Sequence, residues 1–227
     1  MGTDIHPVVQ VRTPSGWRTV QTRNEFERPN PWMIGGCRPL APGEVDMPKA
    51  LRARVYDVFA ILADVRNGRG CAGIKTGDGW PSIAPARGIP DDAGLSENDS
   101  DLGDHSFSWV TLRELLDFDW CGIRTTQCGV LSAAQYDEWA TRYGDGGWEA
   151  RRAPSEYSGA ISGPDVITVL EAEYVEGAIP APMRVYILAS WPARAIEACS
   201  DFYECALPWL TALGAPDDVR LVFGFDS

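Results

Sequence analysis

The sequence predicts an α+β fold: a single domain over residues 1–227, with a mainly antiparallel sheet that contains both chain ends and has helices packed on it. Both ends have the composition of strands: residues 5–12 are rich in β-branched side chains, and residues 219–226 alternate. Segments with helical spacing lie between hairpins and do not alternate strictly with single strands, which favours α+β over α/β. A chain of this length buries roughly 70% of its unfolded surface, which is enough for a core without disulfides.

The opening residues predict a β-hairpin. Residues 5–12 are rich in β-branched side chains, residues 13–16 (Thr-Pro-Ser-Gly) have the composition of a turn, and residues 17–21 return. Pro7 has no N–H to donate to a neighbouring strand. We therefore expect Pro7 at a sheet edge or at a non-bonded position of the ladder.

Residues 48–67 predict the first helix. Leu51, Val58 and Leu62 fall on one face at helical spacing, and Asn67-Gly68 is a common helix end. A loop rich in glycine, proline and aspartate follows at about residues 68–104. Loops longer than roughly 15 residues tend to be functional or disordered. We expect ordered turns in the first part of this loop and mobility in the acidic run from Asp91.

Further helices are predicted in the second half of the chain. Thr111-Leu112-Arg113-Glu114 has the capping-box pattern and begins a short helix, with Leu112, Leu115 and Leu116 facing inward. Residues 132–135 begin another helix in the same way. Pro192 begins the longest helix, which Pro208 should kink or split.

Strands are expected over residues 166–175, 183–190 and 219–226. The last is apolar enough to be a central strand, with Leu221, Phe223 and Phe225 on one face. Asp226 points to the other face, because successive side chains alternate along a strand. If the two end strands are neighbours, Asp226 approaches Asp4 or His6.

The composition excludes several classes of protein. The net charge of −12 argues against a protein that binds a nucleic-acid backbone, which needs a basic surface. Strong acidity favours either a plain solvated surface or a surface for a basic partner. The six cysteines contain no Cys-x-x-Cys pair, so a zinc ribbon is not expected. No stretch approaches the roughly 18 apolar residues of a membrane span. We expect a cytoplasmic protein with reduced thiols.

Both histidines of the chain lie beside aspartates. Asp4 and His6 share one face of a strand because they are two residues apart, and Asp104 directly precedes His105. Carboxylate and imidazole ligands suit Zn²⁺, Mn²⁺ or Fe²⁺. The predicted metal ligands are Asp4, His6, Asp104 and His105.

Three residues are predicted to be catalytic: His105, Asp104 and Asp64. Asp64 lies in the last turn of the first predicted helix, at the mouth of the long loop. In a version without metal, His105 acts as the general base and Asp4 or Asp104 orients it. The structural alternative is that both histidines satisfy buried carbonyl groups.

The predicted substrate-binding residues are Arg66, Arg87, Asn67 and Trp109. The two arginines would clamp an anionic group such as phosphate. With a metal-bound water as the nucleophile, these residues predict a metal-dependent hydrolase that acts on a phosphate-containing small molecule or nucleotide.

Nucleophilic side chains receive less support. Ser106 follows His105 directly, and neighbouring side chains diverge in a strand, so we expect no Ser–His pair. Gly-x-Ser-x-Gly and the phosphate-binding Walker loop are both missing from the sequence.

A second function from another class is a non-catalytic binding protein. Nine tryptophans and seven tyrosines offer surfaces on which a base or a protein partner can stack. The strong negative charge suits a basic partner. A nucleotide panel separates binding without turnover from hydrolysis.

Several motifs are similar to those of one family. They are Met1-Gly2-Thr3-Asp4-Ile5-His6, the stretch from Tyr56 to Asn67, Arg87-Gly88-Ile89-Pro90, Asp104-His105-Ser106-Phe107-Ser108-Trp109, Tyr157-Ser158-Gly159 and the tail from Val219 to Phe223. The chain resembles a family of uncharacterised phage and bacterial proteins that typically begin Met-Gly-Cys-Asp-Ile-His. The resemblance implies a phage-related protein, located in the host cytoplasm if phage-encoded. That context, together with the negative charge, suits a binding protein that sequesters a nucleotide signal or inhibits a host protein. Thr3 replaces the family's cysteine, so a thiol at that position is not essential here.

Overall fold

A computed structural model describes residues 2–23, 39–70, 75–96, 102–132 and 186–226. These residues contain six strands, four α-helices, a 3₁₀ turn at Lys49–Leu51 and a π-helical turn at Phe202–Ala206. In chain order the elements are β1 (Asp4–Thr13), β2 (Gly16–Thr19), α1 (Tyr56–Ala63), β3 (His105–Thr111), α2 (Leu112–Asp117), β4 (Arg124–Ser132), β5 (Tyr186–Arg194), α3 (Ala195–Ala198), α4 (Leu207–Thr211) and β6 (Val219–Asp226).

The chain divides into two compact units. The sheet unit comprises residues 3–54, 83–118 and 201–227, and the β4–β5 unit comprises residues 1–2, 55–82 and 119–200. Each unit is assembled from separate stretches of the chain. The prediction of one domain over residues 1–227 stays a prediction.

The sheet unit contains a four-stranded antiparallel sheet in the order β2-β1-β6-β3. The first and last strands pair along their whole length, from Asp4 opposite Asp226 to Val11 opposite Val219. The predicted α+β class, with both chain ends in one antiparallel sheet, is confirmed. Every residue of β6 from Val219 to Phe225 is buried, as expected for an interior strand.

The predicted hairpin is also confirmed, and its geometry explains Pro7. The short strand β2 pairs only with Gln10–Thr13 of β1. Among the described residues, Pro7 therefore has a strand on one side only, where it lies opposite Phe223 of β6. A residue without an N–H fits this position because no second ladder requires it.

The capping box at the start of α2 forms as predicted. Thr111 Oγ1 accepts a hydrogen bond from the Glu114 N–H, and Glu114 Oε2 accepts one from the Thr111 N–H. Leu112 and Leu115 are buried, but Leu116 is 44% exposed, so its inward placement was wrong. In a helix of only six residues, the buried stripe is one residue wide at each turn.

Strand β3 was not predicted. Its register with β6 shifts between His105 and Ser108, where one extra residue forms a bulge. Ser106, inside the bulge, has a φ of 52°, which is unusual for a residue with a side chain. The bulge hides the regular alternation by which strands are recognised in a sequence.

The helix predicted over residues 48–67 is wrong in its bounds. Lys49–Leu51 is a 3₁₀ turn, α1 begins only at Tyr56, and Asp64 ends it in the left-handed conformation with a φ of 60°. Leu51 belongs to the sheet unit, whereas the buried face of α1 belongs to the β4–β5 unit. The helical spacing in the sequence therefore joined apolar residues of two different units into one predicted helix.

In the β4–β5 unit, β4 pairs antiparallel with β5, from Arg124 opposite Arg194 to Ser132 opposite Tyr186. Strand β4 was missed, and Pro192 lies in β5, so the predicted helix start at Pro192 is wrong; α3 begins at Ala195. Within the sheet unit, the π-helical turn Phe202–Ala206 continues directly into α4, and Pro208 lies in the first turn of α4. The helical segment is therefore not split at Pro208.

Several predictions fall outside the described residues: the helix after Ser132, the strand over residues 166–175, and part of the acidic run after Asp91. Among the helices that the structure does describe, none has the length and apolar character needed to cross a membrane.

Candidate functional site

The two terminal strands bring a carboxylate and an imidazole together. The Nε2 atom of His6 lies 3.0 Å from Oδ2 of Asp226. The other oxygen of Asp226, Oδ1, accepts a hydrogen bond from the Asp4 N–H at 3.1 Å. The expectation that Asp226 approaches Asp4 and His6 is confirmed. With both of its oxygens bonded, the Asp226 carboxylate is held in one orientation.

Arg54 binds the side chain of Asp4. Its Nε and Nη2 atoms donate to the two oxygens of Asp4. The hydrogen bond from Arg54, together with the charges of Arg54 and His6, lowers the pKa of Asp4 against the opposing effect of burial. Asp4 is therefore an ionised carboxylate that already has a cationic partner.

The imidazole of His6 is half-buried. Its side chain is 32% exposed, and Nδ1 has no hydrogen-bond partner among the described residues. Gly103 packs against the ring: a Cβ atom there would lie 3.0 Å from His6 Cδ2 and 2.5 Å from the carbonyl oxygen of Phe225. The close approach and a φ of 78° require glycine at this position.

The second histidine lies on the other face of the sheet. His105 is opposite Phe225 and its ring stacks on the Phe225 ring at 6.1 Å, whereas His6 is opposite Gly224. Consecutive residues of β6 face opposite sides, so the two imidazoles project from opposite faces. The predicted ligands Asp4, His6, Asp104 and His105 are thus not brought together as one set. Within the described ranges, no three His, Cys, Asp or Glu side chains are placed to hold a metal ion.

Ser106 and His105 do form a pair, contrary to expectation. Ser106 Oγ lies 2.9 Å from His105 Nδ1, and Asp104 Oδ1 lies 3.9 Å from His105 Nε2. The left-handed backbone of Ser106 turns its side chain back towards its neighbour, which a regular strand would not do. Strained backbone of this kind is often found at functional sites.

Arg87 and Trp109, both predicted to bind substrate, contact each other at the edge of the sheet. The Arg87 guanidinium lies 4.9 Å from the centre of the Trp109 ring and donates two hydrogen bonds to Glu114. Burial acts to raise the pKa of Glu114, but hydrogen bonds from Arg87 and Thr111 outweigh it and the pKa is lowered. The charge of Arg87 is therefore already balanced by a carboxylate.

In the β4–β5 unit, Asn67 binds the backbone of Trp80. Its Nδ2 donates to the Trp80 carbonyl at 2.8 Å and its Oδ1 accepts from the Trp80 N–H at 2.6 Å. The same amide donates to Asp64 Oδ1, and Arg66 stacks over Tyr56. These contacts favour a structural role for the predicted residues Asp64, Arg66 and Asn67. Asp64 also belongs to a different unit from His105.

One titratable side chain of the β4–β5 unit, Asp57, was not predicted from the sequence. Oδ1 of Asp57, in the first turn of α1, accepts hydrogen bonds from Trp80 Nε1 at 2.6 Å and Gln127 Nε2 at 2.9 Å. Burial raises the pKa of Asp57, and the two hydrogen bonds only partly oppose it. Nothing near Asp57 in the sequence signals this, because its partners come from a loop and from β4.

Comparison with known proteins yields no match: neither a family model, nor a curated protein, nor a solved structure. Function is therefore inferred from the side chains described above.

Proposed function

We propose that this protein is a hydrolase of small phosphate-containing molecules or nucleotides, with His6 as the general base and Asp226 as the carboxylate that orients it. The observation that supports the proposal is the 3.0 Å contact between His6 Nε2 and Asp226 Oδ2. A base whose ring is held by a carboxylate, with its other nitrogen open, is the arrangement that general-base catalysis needs.

The contact assigns a role to each nitrogen of the ring. In the proposed tautomer, Nε2–H donates to Asp226 Oδ2 across the 3.0 Å contact, and the lone pair of His6 lies on Nδ1. Nδ1 removes a proton from water while the water oxygen forms a bond to phosphorus. The bond from phosphorus to the leaving oxygen breaks, and the imidazolium returns the proton to that oxygen.

Asp4 and Arg54 act as positioning residues. The Asp4 N–H holds Oδ1 of Asp226, which leaves Oδ2 for His6. Arg54 fixes the side chain of Asp4 and balances its charge. The backbone N–H of Asp4 thus keeps the Asp226 carboxylate directed towards the imidazole.

A divalent metal (Zn²⁺, Mn²⁺ or Fe²⁺) stays a prediction. The donor groups in this cluster do not fit a ready-made metal centre, because His6 and Asp226 bond to each other and Arg54 occupies Asp4. The proposed reaction therefore uses no step at a metal. Melting curves with EDTA and with each metal test the prediction, since a ligand of the folded state raises the melting temperature.

A non-catalytic role is the second candidate: capture of a nucleotide, or inhibition of a host protein with a basic surface. The observation that favours nucleotide capture is the row of stacked arginine and tryptophan side chains around Arg220. A net charge of −12 favours the basic protein partner. For either role we propose a cytoplasmic location and membership of the phage-related family that the motifs resemble.

The experiment compares two matched variants, His6→Gln and His105→Gln. The two side chains are similarly exposed, at 32% and 37%, and lie on opposite faces of the sheet. Hydrolysis of a panel of phosphate esters and nucleotides is measured for both variants and the wild type. We expect His6→Gln to lower the rate by about 10²–10⁴-fold and His105→Gln to have little effect. If only His105→Gln lowers the rate, His6 is not the base. Binding without turnover supports nucleotide capture.

A further inference from the structure

Five side chains form a stacked row across one face of the sheet, which we call the Arg–Trp ladder: Arg12, Trp17, Arg220, Trp109 and Arg87. The guanidinium of Arg12 lies 4.8 Å from the Trp17 ring centre, and that of Arg220 lies 4.1 Å from it. Arg220 is also 6.0 Å from the Trp109 ring centre, and Arg87 is 4.9 Å from it. The ladder brings three positive charges close together in a chain of net charge −12.

Arg220 lies at the centre of the ladder and is almost completely buried, at 3% exposure. Its Nε donates to Gln10 Oε1 at 2.9 Å, and its Nη1 donates to Asp92 Oδ1 at 2.8 Å. Its Nη2 has no partner, alone among the buried side-chain nitrogen and oxygen atoms of the described residues. An unsatisfied donor on a buried charge is costly and rare, so it calls for an explanation.

Asp92 is an incomplete partner for this guanidinium. Arginine and carboxylate often pair through two parallel hydrogen bonds, but Asp92 contacts Nη1 only. The Asp92 side chain is 64% exposed, whereas that of Arg220 is 4% exposed. Asp92 belongs to a turn closed by the Ala93 N–H on the Pro90 carbonyl, and Gln10 holds the Ala93 carbonyl. An exposed carboxylate thus lies over a buried cation.

We propose that Arg220 anchors a binding site for a small oxyanion, the phosphate of a phosphate monoester or a carboxylate, which displaces Asp92. The oxyanion pairs with Nη1 and Nη2 together and so satisfies the donor that Asp92 leaves unpaired. Asp92 occupies the place of the ligand in the protein alone. Arg12 lies 3.8 Å from Asp218 and Arg87 binds Glu114, so the charge that the oxyanion meets is that of Arg220.

This site is separate from the proposed catalytic pair and does not depend on it. Gln10, which is opposite Arg220, is four residues beyond His6 on the same face of β1. At about 3.3 Å per residue, the two positions lie roughly 13 Å apart. Binding at Arg220 is therefore measured by equilibrium methods that require no turnover.

The test is titration calorimetry with inorganic phosphate, phenyl phosphate and acetate as probes. Asp92→Asn keeps the size of the side chain and removes the competing charge, so we expect it to bind at least about tenfold more tightly than the wild type. Asp91→Asn is the matched control, because it makes the same change of net charge at the neighbouring exposed position. Arg220→Lys lacks the two-pronged donor and should bind at least about tenfold more weakly.

Tighter binding by Asp92→Asn alone supports the site, and the preferred probe identifies the ligand group as phosphate or carboxylate. Equal affinities in Asp92→Asn and Asp91→Asn overturn the proposal, as does the absence of binding in both. Unchanged affinity in a folded Arg220→Lys variant also overturns it.

Discussion

His6 Nε2 lies 3.0 Å from Asp226 Oδ2, although 220 positions separate the two residues. Antiparallel pairing of β1 with β6 brings them together, since Asp4 lies opposite Asp226 and His6 lies opposite Gly224. Both side chains therefore project from strands of a sheet and not from flexible loops. A site on rigid elements keeps its geometry with more precision than one on loops.

Gly103 is predicted to control the position of the His6 ring. Gly103→Ala places a Cβ atom 2.5 Å from the Phe225 carbonyl oxygen and 3.0 Å from His6 Cδ2. Gly88→Ala is the matched control, because Gly88 has a similar φ (73° against 78°) and no atom within 4 Å of the added Cβ. Both variants place a Cβ atom on a left-handed backbone, which is strained, but only Gly103→Ala also creates a clash. We expect it to lower the free energy of unfolding by about 1–3 kcal/mol more than the control, measured by urea denaturation. Equal losses would contradict the close approach.

Asp57 is predicted to make stability depend on pH. Because burial raises its pKa, the protonated carboxyl is favoured in the folded state. Its stabilising contribution is thus complete below the pKa of the unfolded chain and is lost as pH rises through the raised pKa of the folded state. Asp57→Asn keeps an oxygen for Trp80 and Gln127 and cannot ionise. The free energy of unfolding of the variant, relative to that of the wild type, should therefore rise with pH between the pKa of Asp57 in the unfolded chain and its raised pKa in the folded state. A constant difference in urea titrations at several pH values would show that Asp57 is not responsible.

Ser106 separates backbone strain from chemistry. Its φ of 52° suits glycine, so Ser106→Gly should be more stable than Ser106→Ala by about 1 kcal/mol. Both variants lack the hydroxyl that lies 2.9 Å from His105 Nδ1. If His6 is the base, both should keep near-normal hydrolysis. Loss of hydrolysis in both variants would instead assign Ser106 as a nucleophile activated by His105.

Local signals in the sequence were sufficient for part of the fold. The β1–β2 hairpin follows from its turn residues, the start of α2 from the pair Thr111 and Glu114, and β6 from its alternation and apolar content. The break between Lys49–Leu51 and α1 could not be predicted, because apolar spacing does not reveal that two successive segments belong to different cores. Strand β3 was missed because its bulge interrupts the alternation.

The candidate site was predictable to the same extent. Alternation along one strand placed Asp4 and His6 on one face, and the pairing of the chain ends added Asp226. The face on which His105 lies depends on a single register position, and a shift by one residue reverses it. Arg220 and Asp57 gave no signal because their partners Asp92, Gln10, Trp80 and Gln127 come from distant segments.

The most direct test is nitrogen NMR of the two imidazole rings, with His6→Gln to assign the signals. We predict that the neutral ring of His6 carries its proton on Nε2 and leaves Nδ1 unprotonated, because the Asp226 carboxylate accepts from Nε2. Asp226→Asn should remove this preference, while the His105 signals change little. A His6 ring protonated on Nδ1, or a His6 spectrum that Asp226→Asn leaves unchanged, would contradict the assignment of His6 as a base oriented by Asp226.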